Sequence, residues 1–380
     1  MNRASLSFLF AALTTTAIAG DNYLVYFGCQ TGPKTGSKGI YVSSFNSGTG
    51  ELGEPALAVE TGSPGFLAIH PNKKYLYAIG ELAGGDKTKG GVSAFKINLP
   101  DGKLSLLNQV SSVGVGPCHV SVDKTGQMAM IANYGGGSVA SYAIGEDGSL
   151  SEAVTFVQHE GSSVDVRRQA GPHAHSMNVS PDNRFAFACD LGLDKVLIYK
   201  IDPVTAKMTD HGHGTVPAGS GPRHLAFHPN GKFVFVNNEM LMTVTSFAYD
   251  AEKGMLTEIE TVSTLPEADR GKPGFSTAET VVHPNGKFVY VSNRTHDTIA
   301  VFACDEATGK LKLIQNAPAE GQVPRNFNLD PSGKWMIVGH QNSQTAGLFK
   351  VDAETGMLTF TGKKVSVGGA ICVRFLALEK

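Results

Sequence analysis

No run of lysine or arginine dense enough to grip a phosphate backbone occurs in this chain, and the formal charge nearly cancels at -2. Nucleic-acid binding is therefore not expected. Charged residues are sparse at 17% against 41% hydrophobic, which excludes compositional disorder and leaves 380 residues able to build a sizeable core. Cysteine is scarce as well. Cys29, Cys118, Cys189, Cys304 and Cys372 are odd in number and lack CxxC spacing, so they form no metal or dithiol motif. A chain of this length needs no disulfide framework, and most of these thiols are expected to be buried as small apolar residues. Beyond the N-terminus no apolar run is long enough to span a bilayer. A GxSxG elbow is also missing, which argues against a serine nucleophile of that type.

The first stretch, MNRASLSFLFAALTTTAIAG, sets Arg3 before a short apolar run and ends it with Ala17-Ile18-Ala19. This reads as a secretory signal peptide over residues 1–19, cleaved near Ala19, with export to the periplasm or medium expected. Were the segment not a signal, the protein would be cytoplasmic. Residues 20–380 read as one domain.

That domain is a repeat with a period of ~50 residues. SPGFLAIHPNKKYLYAIGE begins at Ser63, GPCHVSVDKTGQMAMIANY at Gly116, PHAHSMNVSPDNRFAFACDL at Pro172, GPRHLAFHPNGKFVFVNNE at Gly221, FSTAETVVHPNGKFVYVSNR at Phe275 and VPRNFNLDPSGKWMIVGHQ at Val323. Each alternates apolar and polar residues on both sides of an Asn, Asp, Gly or Ser cluster, the pattern of an antiparallel hairpin. A second two-strand unit follows each one, as in GVSAFKINLPDGKLSL, giving the four strands of a propeller blade. The chain ends supply a seventh blade in pieces. NYLVYFGCQ from Asn22 matches a second strand, and GGAICVRFLALEK from Gly368 matches only a first strand. The expected fold is all-β, a seven-bladed β-propeller closed by N- and C-terminal strands sharing one blade, with no helix of consequence.

In a propeller the first strand of each blade lines a central channel, so equivalent positions form rings. Counting back five residues from the residue before each turn gives Gly65, Cys118, His175, Arg223, Ala278 and Arg325; counting back four gives Phe66, His119, Ser176, His224, Glu279 and Asn326. Eleven residues past the same origin lie Glu81, Tyr134, Leu191, Glu239, Arg294 and Gln341. Antiparallel pairing brings these offsets to one end of the channel. His119, His175, Arg223, Glu239, Glu279, Arg294 and Arg325 should therefore share a polar mouth, with Tyr134 beside them. Two long connections, EGSSVDVRRQAG and LPEADRGKPG, should overhang it and bring Arg167, Arg168, Arg270 and Lys272. An arginine-rich mouth suits a small anionic ligand, because guanidinium binds carboxylate or phosphate through paired hydrogen bonds. His70, His228 and His283 fall at the opposite, turn end and read as turn-stabilising; His211 and His213 fall between outer strands and read as exposed and structural. His173 and His175 have metal-ligand spacing without an evident third ligand, so no metal and no cofactor is expected.

The segments RRQAGPHAHSMNVSPDNRFAF, GSGPRHLAFHPNGKFVFVNNE and HPNGKFVYVSNRTHDTIAVF closely resemble motifs of the seven-bladed propeller lactonase family, which includes propeller-type 6-phosphogluconolactonases and fungal carboxy-cis,cis-muconate cyclases. The resemblance covers essentially the whole mature chain. It implies a channel-mouth site on His175, Arg223, Glu239 and Arg294, all four among the seven that the ring positions select, with Arg168 and Gln169 contacting substrate. The implied activity is hydrolysis of a sugar-derived or anionic lactone, with Glu239 or His175 as general base and Arg223 and Arg294 holding the oxyanion. Cys118, facing the channel, has no obvious paired base. A muconate-type cycloisomerase of the same fold and a non-catalytic exported ligand-binding propeller are the alternatives. An exported member need not take a phosphorylated substrate, and the sequence carries no reading of oligomeric state.

Overall fold

The computed structural model describes residues 22–84 and 90–378; the expected signal peptide lies outside the described residues. Seven antiparallel sheets surround one axis. Their innermost strands are Phe66–Ile69, Pro117–Val122, Ala174–Val179, Pro222–Phe227, Ser276–Val282, Pro324–Leu329 and Ala370–Ala377, here assigned to blades 1 to 7. Each packs against the next around the axis, and Ala370–Ala377 packs against Phe66–Ile69, so the ring is closed.

Closure is made by the two chain ends. Ala370–Ala377 pairs antiparallel with Asn22–Cys29, with Tyr26 opposite Arg374. Asn22–Cys29 then pairs with Gly39–Asn46, against which the short outer strands Glu51–Leu52 and Ala56–Glu60 lie. Blade 7 is thus complete only when both termini contribute, which leaves no inner strand edge open. The helical content among the described residues is one three-residue 3-10 turn, Glu267–Asp269.

The core lies between blades. Second strands such as Met128–Asn133 and Phe233–Asn238 are buried at every residue because both of their faces meet a neighbouring blade. Large rings cross these gaps and keep their hydroxyls satisfied: Tyr26, Tyr77 and Tyr290 donate to the carbonyls of Gly102, Gly148 and Gly356 in the following blade at 2.9, 3.0 and 2.9 Å.

The HPN turns carry a second tie. Nδ1 of His70, His228 and His283 accepts the N–H of Asn72, Asn230 and Asn285 inside the turn. Nε2 then donates to the carbonyl of Gly126, Gly286 and Gly333 in the next blade, at 2.8 to 2.9 Å. Glycine is required there, since a Cβ on Gly126, with φ +77°, would come within 2.3 Å of the His70 ring.

Candidate active site

The channel-lining side chains owe their direction to a repeated irregularity. In blades 2 to 7 the innermost strand carries one extra residue relative to its partner strand near its start. In blades 2, 3, 4 and 6 the extra residue is Cys118, His175, Arg223 and Arg325. A bulge breaks the in-and-out alternation of a strand and re-aims a side chain. Consecutive residues, Arg223 and His224, therefore both reach the channel, where strict alternation would have sent one into the blade interface.

Glu239, buried in the turn directly after strand Phe233–Asn238, is the centre of the mouth. Its backbone N–H donates to Gly221 O at 2.7 Å, fixing the strand end. Oε1 accepts a hydrogen bond from Arg168 Nη2 at 2.8 Å. Oε2 lies 3.0 Å from Arg294 Nη2 and 3.2 Å from Arg223 Nε, the latter out of line for a hydrogen bond. Three guanidiniums thus converge on one carboxylate. Burial alone would raise the Glu239 carboxyl, but Arg294, Arg223 and the Arg168 hydrogen bond outweigh it and hold the group at about 2. His175 Nε2 is 3.9 Å from Oε2. Burial, then the Arg223 charge, lowers the His175 pKa well below its ordinary value, so the imidazole is neutral at pH 7. Arg223 itself is lowered to about 9 by burial and by Arg325 and Arg294, with Glu239 and Glu279 opposing.

Arg325 enters the same layer. Among the described residues its side chain makes no hydrogen bond and no ion pair, while burial and then Arg294 lower its pKa. Tyr134 accepts a hydrogen bond from Arg168 Nη2 at 3.1 Å, and its ring stacks on His173 at 4.6 Å and meets His175 edge-on at 5.1 Å. The segment leading into His175 is held by Asp190, whose Oδ1 accepts the His173 N–H at 2.7 Å. Asp190 is in turn fixed by buried His159 at 2.6 Å, and His159 by the Tyr199 hydroxyl at 2.8 Å.

Several expected members sit elsewhere. His119 and Glu279 occupy the next layer down, a floor beneath the mouth. There Phe66 packs on His119 at 4.1 Å, and His119 and His175 each meet His224 edge-on at 5.4 and 5.3 Å. Glu279 bonds to His224 Nδ1 at 3.0 Å and to Asn326 Nδ2. His119 also lines the cavity of about 490 Å³ that opens at the turn end, with Arg374, Asn178 and Asn328. Gln169 is not placed on a substrate: fully buried, its amide donates to Leu191 O at 2.8 Å and accepts from Asp165 N at 3.1 Å, shaping the loop that delivers Arg168. From the other long loop, Lys272 is paired with Asp269 at 2.6 Å and Arg270 turns its Nε to Leu265 O, so neither reaches Glu239. His224 and Asn326 were not among the expected site residues, although they share the ring offset of His119 and Glu279.

Cys118 does have an imidazole nearby, with Sγ 3.9 Å from His175 Nδ1. Its thiol nevertheless donates to His175 O at 3.2 Å, and burial pushes it up to about 12 against the Arg223 charge, so it is no thiolate. All five cysteines are unpaired. No cluster of metal-ligating side chains occurs among the described residues, and no helix there is long and apolar enough to cross a membrane.

Comparison with known proteins places this geometry in a family. Residues 24–375 match the model of the lactonase family described as a 7-bladed β-propeller. A 6-phosphogluconolactonase of Bacillus subtilis is 36% identical over 93% of this chain and 98% of its own length. One of Formosa agariphila is 32% identical over 80% of this chain and 86% of its own. The solved structure of a periplasmic gluconolactonase from Pseudomonas aeruginosa superposes with a TM-score of 0.86 at 30% identity, covering 94% of this chain and 100% of that one. The chain belongs to the seven-bladed β-propeller lactonase family.

Proposed function

We propose that this protein hydrolyses a sugar-derived lactone in the channel mouth by general-base attack of water, using protein side chains alone. The observation that carries this reading is the Glu239 carboxylate held by Arg168, Arg223 and Arg294 beside a neutral His175. Both groups are held weakly basic, Glu239 at about 2 by its arginines and His175 lowered by burial and Arg223. The Glu239 oxygens, however, are taken by three guanidiniums, whereas His175 Nε2 has no hydrogen-bond partner among the described residues and can face a water. His175 Nε2 therefore takes the proton as the water oxygen attacks the ester carbon. The carbonyl electron pair moves onto its oxygen, and the resulting oxyanion is met by the guanidinium N–H groups of Arg223 and Arg294. Collapse breaks the ring C–O bond, the imidazolium returns its proton to the departing alkoxide, and the product is an open-chain hydroxy acid. Glu239 orients the arginines and faces the imidazolium while it exists.

The names of the relatives support both a phosphorylated and an unphosphorylated lactone as substrate. The periplasmic relative, together with the signal-like N-terminus, supports export. The test is a pH-indicator assay on 6-phosphoglucono-1,5-lactone and glucono-1,5-lactone, corrected for spontaneous hydrolysis, with His175→Gln in parallel. Turnover that disappears in the variant is expected. An absence of turnover on both lactones would turn the reading toward a diacid substrate or a binding role.

A further inference from the structure

We infer that Glu279, His224 and Asn326 are positioning residues that aim Arg223 through a hydrogen-bond chain starting at the ring-closing strand. The inference rests on the lactonase reading only for what Arg223 does, and not for the chain itself.

The chain runs through four successive blades. In blade 7 the backbone N–H of Val373 donates to Asn326 Oδ1 at 2.8 Å. That bond decides which way the Asn326 amide points, so its Nδ2 faces Glu279 Oε2 in blade 5 and donates to it. The other oxygen, Oε1, accepts from Thr280 N at 3.0 Å and lies 3.0 Å from His224 Nδ1 in blade 4. Glu279 thus takes donors on both oxygens, the demand of an ionised carboxylate. Burial would raise its pKa, but His224 and the charges of Arg374 and Arg223 leave it lowered.

With both oxygens of Glu279 accepting, His224 must carry its hydrogen on Nδ1. Its Nε2 is then a lone-pair acceptor, 3.2 Å from Arg223 Nη1. The same Nη1 also donates to Ala278 O, which pins the far edge of the guanidinium. Arg223 is left with its Nε edge toward Glu239 Oε2. With the opposite tautomer His224 would turn an N–H toward Arg223, donor against donor in a buried site, and the guanidinium would have to move. All of these side chains are almost fully buried, so no solvent can substitute for a lost partner.

The polarity of the chain gives a sharp test. In Glu279→Gln, keeping the bond from His224 forces the new amide nitrogen against Asn326 Nδ2, and Val373 prevents Asn326 from flipping. In the double variant Glu279→Gln/Asn326→Asp each bond is restored and the parent's net charge is kept. The amide introduced at position 279 would donate to the carboxylate introduced at position 326, whose other oxygen still accepts from Val373. The expected result is a kcat lower by at least ~10-fold in the single variant with KM within ~3-fold, and recovery to within ~3-fold of the parent in the double variant. A single variant with parental kcat, or a double variant as impaired as the single, overturns the inference. Imidazole ¹⁵N NMR of the whole protein reads the chain without substrate. His224 is expected with Nδ1 protonated and Nε2 accepting, and that signature should be lost in Glu279→Gln. An Nε2–H tautomer in the parent overturns the inference even if turnover is found, and the Nδ1–H signature sustains the chain even if both lactones prove inert.

Discussion

His175 Nε2 and Glu239 Oε2 stand 3.9 Å apart, outside hydrogen-bonding distance but close enough for the carboxylate to stabilise a positive imidazole. The proposed division of roles between them rests on their different environments. Three guanidiniums keep Glu239 ionised and weakly basic, while burial and Arg223 keep His175 neutral. Replacing His175 by Gln should lower kcat by ~10²–10⁴-fold and leave KM nearly unchanged, since only the proton acceptor is lost. Replacing Glu239 by Gln should change kcat and KM together, because Arg168, Arg223 and Arg294 lose their common anchor. Steady-state kinetics of the two variants distinguish the assignments; an unimpaired His175→Gln enzyme would return the base role to Glu239.

On the proposed mechanism the same imidazole sets the acid limb of activity. Its pKa is lowered first by burial and then by Arg223, so the free base persists below the ordinary histidine range and is lost only as pH falls through the lowered value. Lactonase activity should therefore hold its plateau down through pH 6.5 and fall only in more acidic buffer. A kcat/KM profile from pH 4 to 7 measures this, and a half-maximal point at or above 6.5 would contradict the placement of His175.

Much of this site was legible in the sequence, and the failures have physical causes. Ring counting put His175, Arg223, Glu239 and Arg294 at one end because repeat offsets survive folding, and the meeting of both chain ends in blade 7 followed from the strand each terminus lacked. The layer that a residue occupies was not legible. His119 and Glu279 are one residue along from Cys118 and Ala278, and the bulge that turns neighbouring positions into the channel at different depths has no signature in alternation. Gln169 matched a motif but is consumed by loop backbone, a fate that depends on Leu191 and Asp165 lying opposite it in space. Lys272 is withdrawn by Asp269, three residues away in the same loop.

Glu239 should also make stability depend on acid in a way that its Gln variant does not. A carboxyl moved from 4.5 to about 2 contributes stability that is present above its unfolded pKa and lost as pH falls through the folded one. The displacement corresponds to roughly 3 kcal/mol. At neutral pH Glu239→Gln should be less stable, because three guanidiniums lose a buried counter-ion. Between pH 5 and 2 the gap in Tm between parent and variant should narrow. Thermal melts across that range test the sign, and a gap that widens on acidification would show that Glu239 is not held ionised by its arginines.

Ring closure offers a prediction about stability that is independent of chemistry. Leu376 is 3% exposed in the terminal strand and packs in the same cluster as Leu24 and Tyr26 of the first strand and Leu67 and Leu76 of blade 1. It is therefore a weld between the two chain ends and blade 1. Leu376→Ala should cost ~2–5 kcal/mol, a large part of the ~5–15 kcal/mol typical of a folded domain. Removing the whole strand from Ala370 onward would also strip Val373 and Cys372 from the core and expose the Asn22–Cys29 edge to intermolecular pairing. The truncated chain should thus aggregate, while Leu376→Ala should stay folded with a lower unfolding midpoint. Urea denaturation of the point variant and light scattering of the truncation check the two outcomes, and a soluble, cooperatively folded truncation would mean that blade 7 does not hold the ring shut.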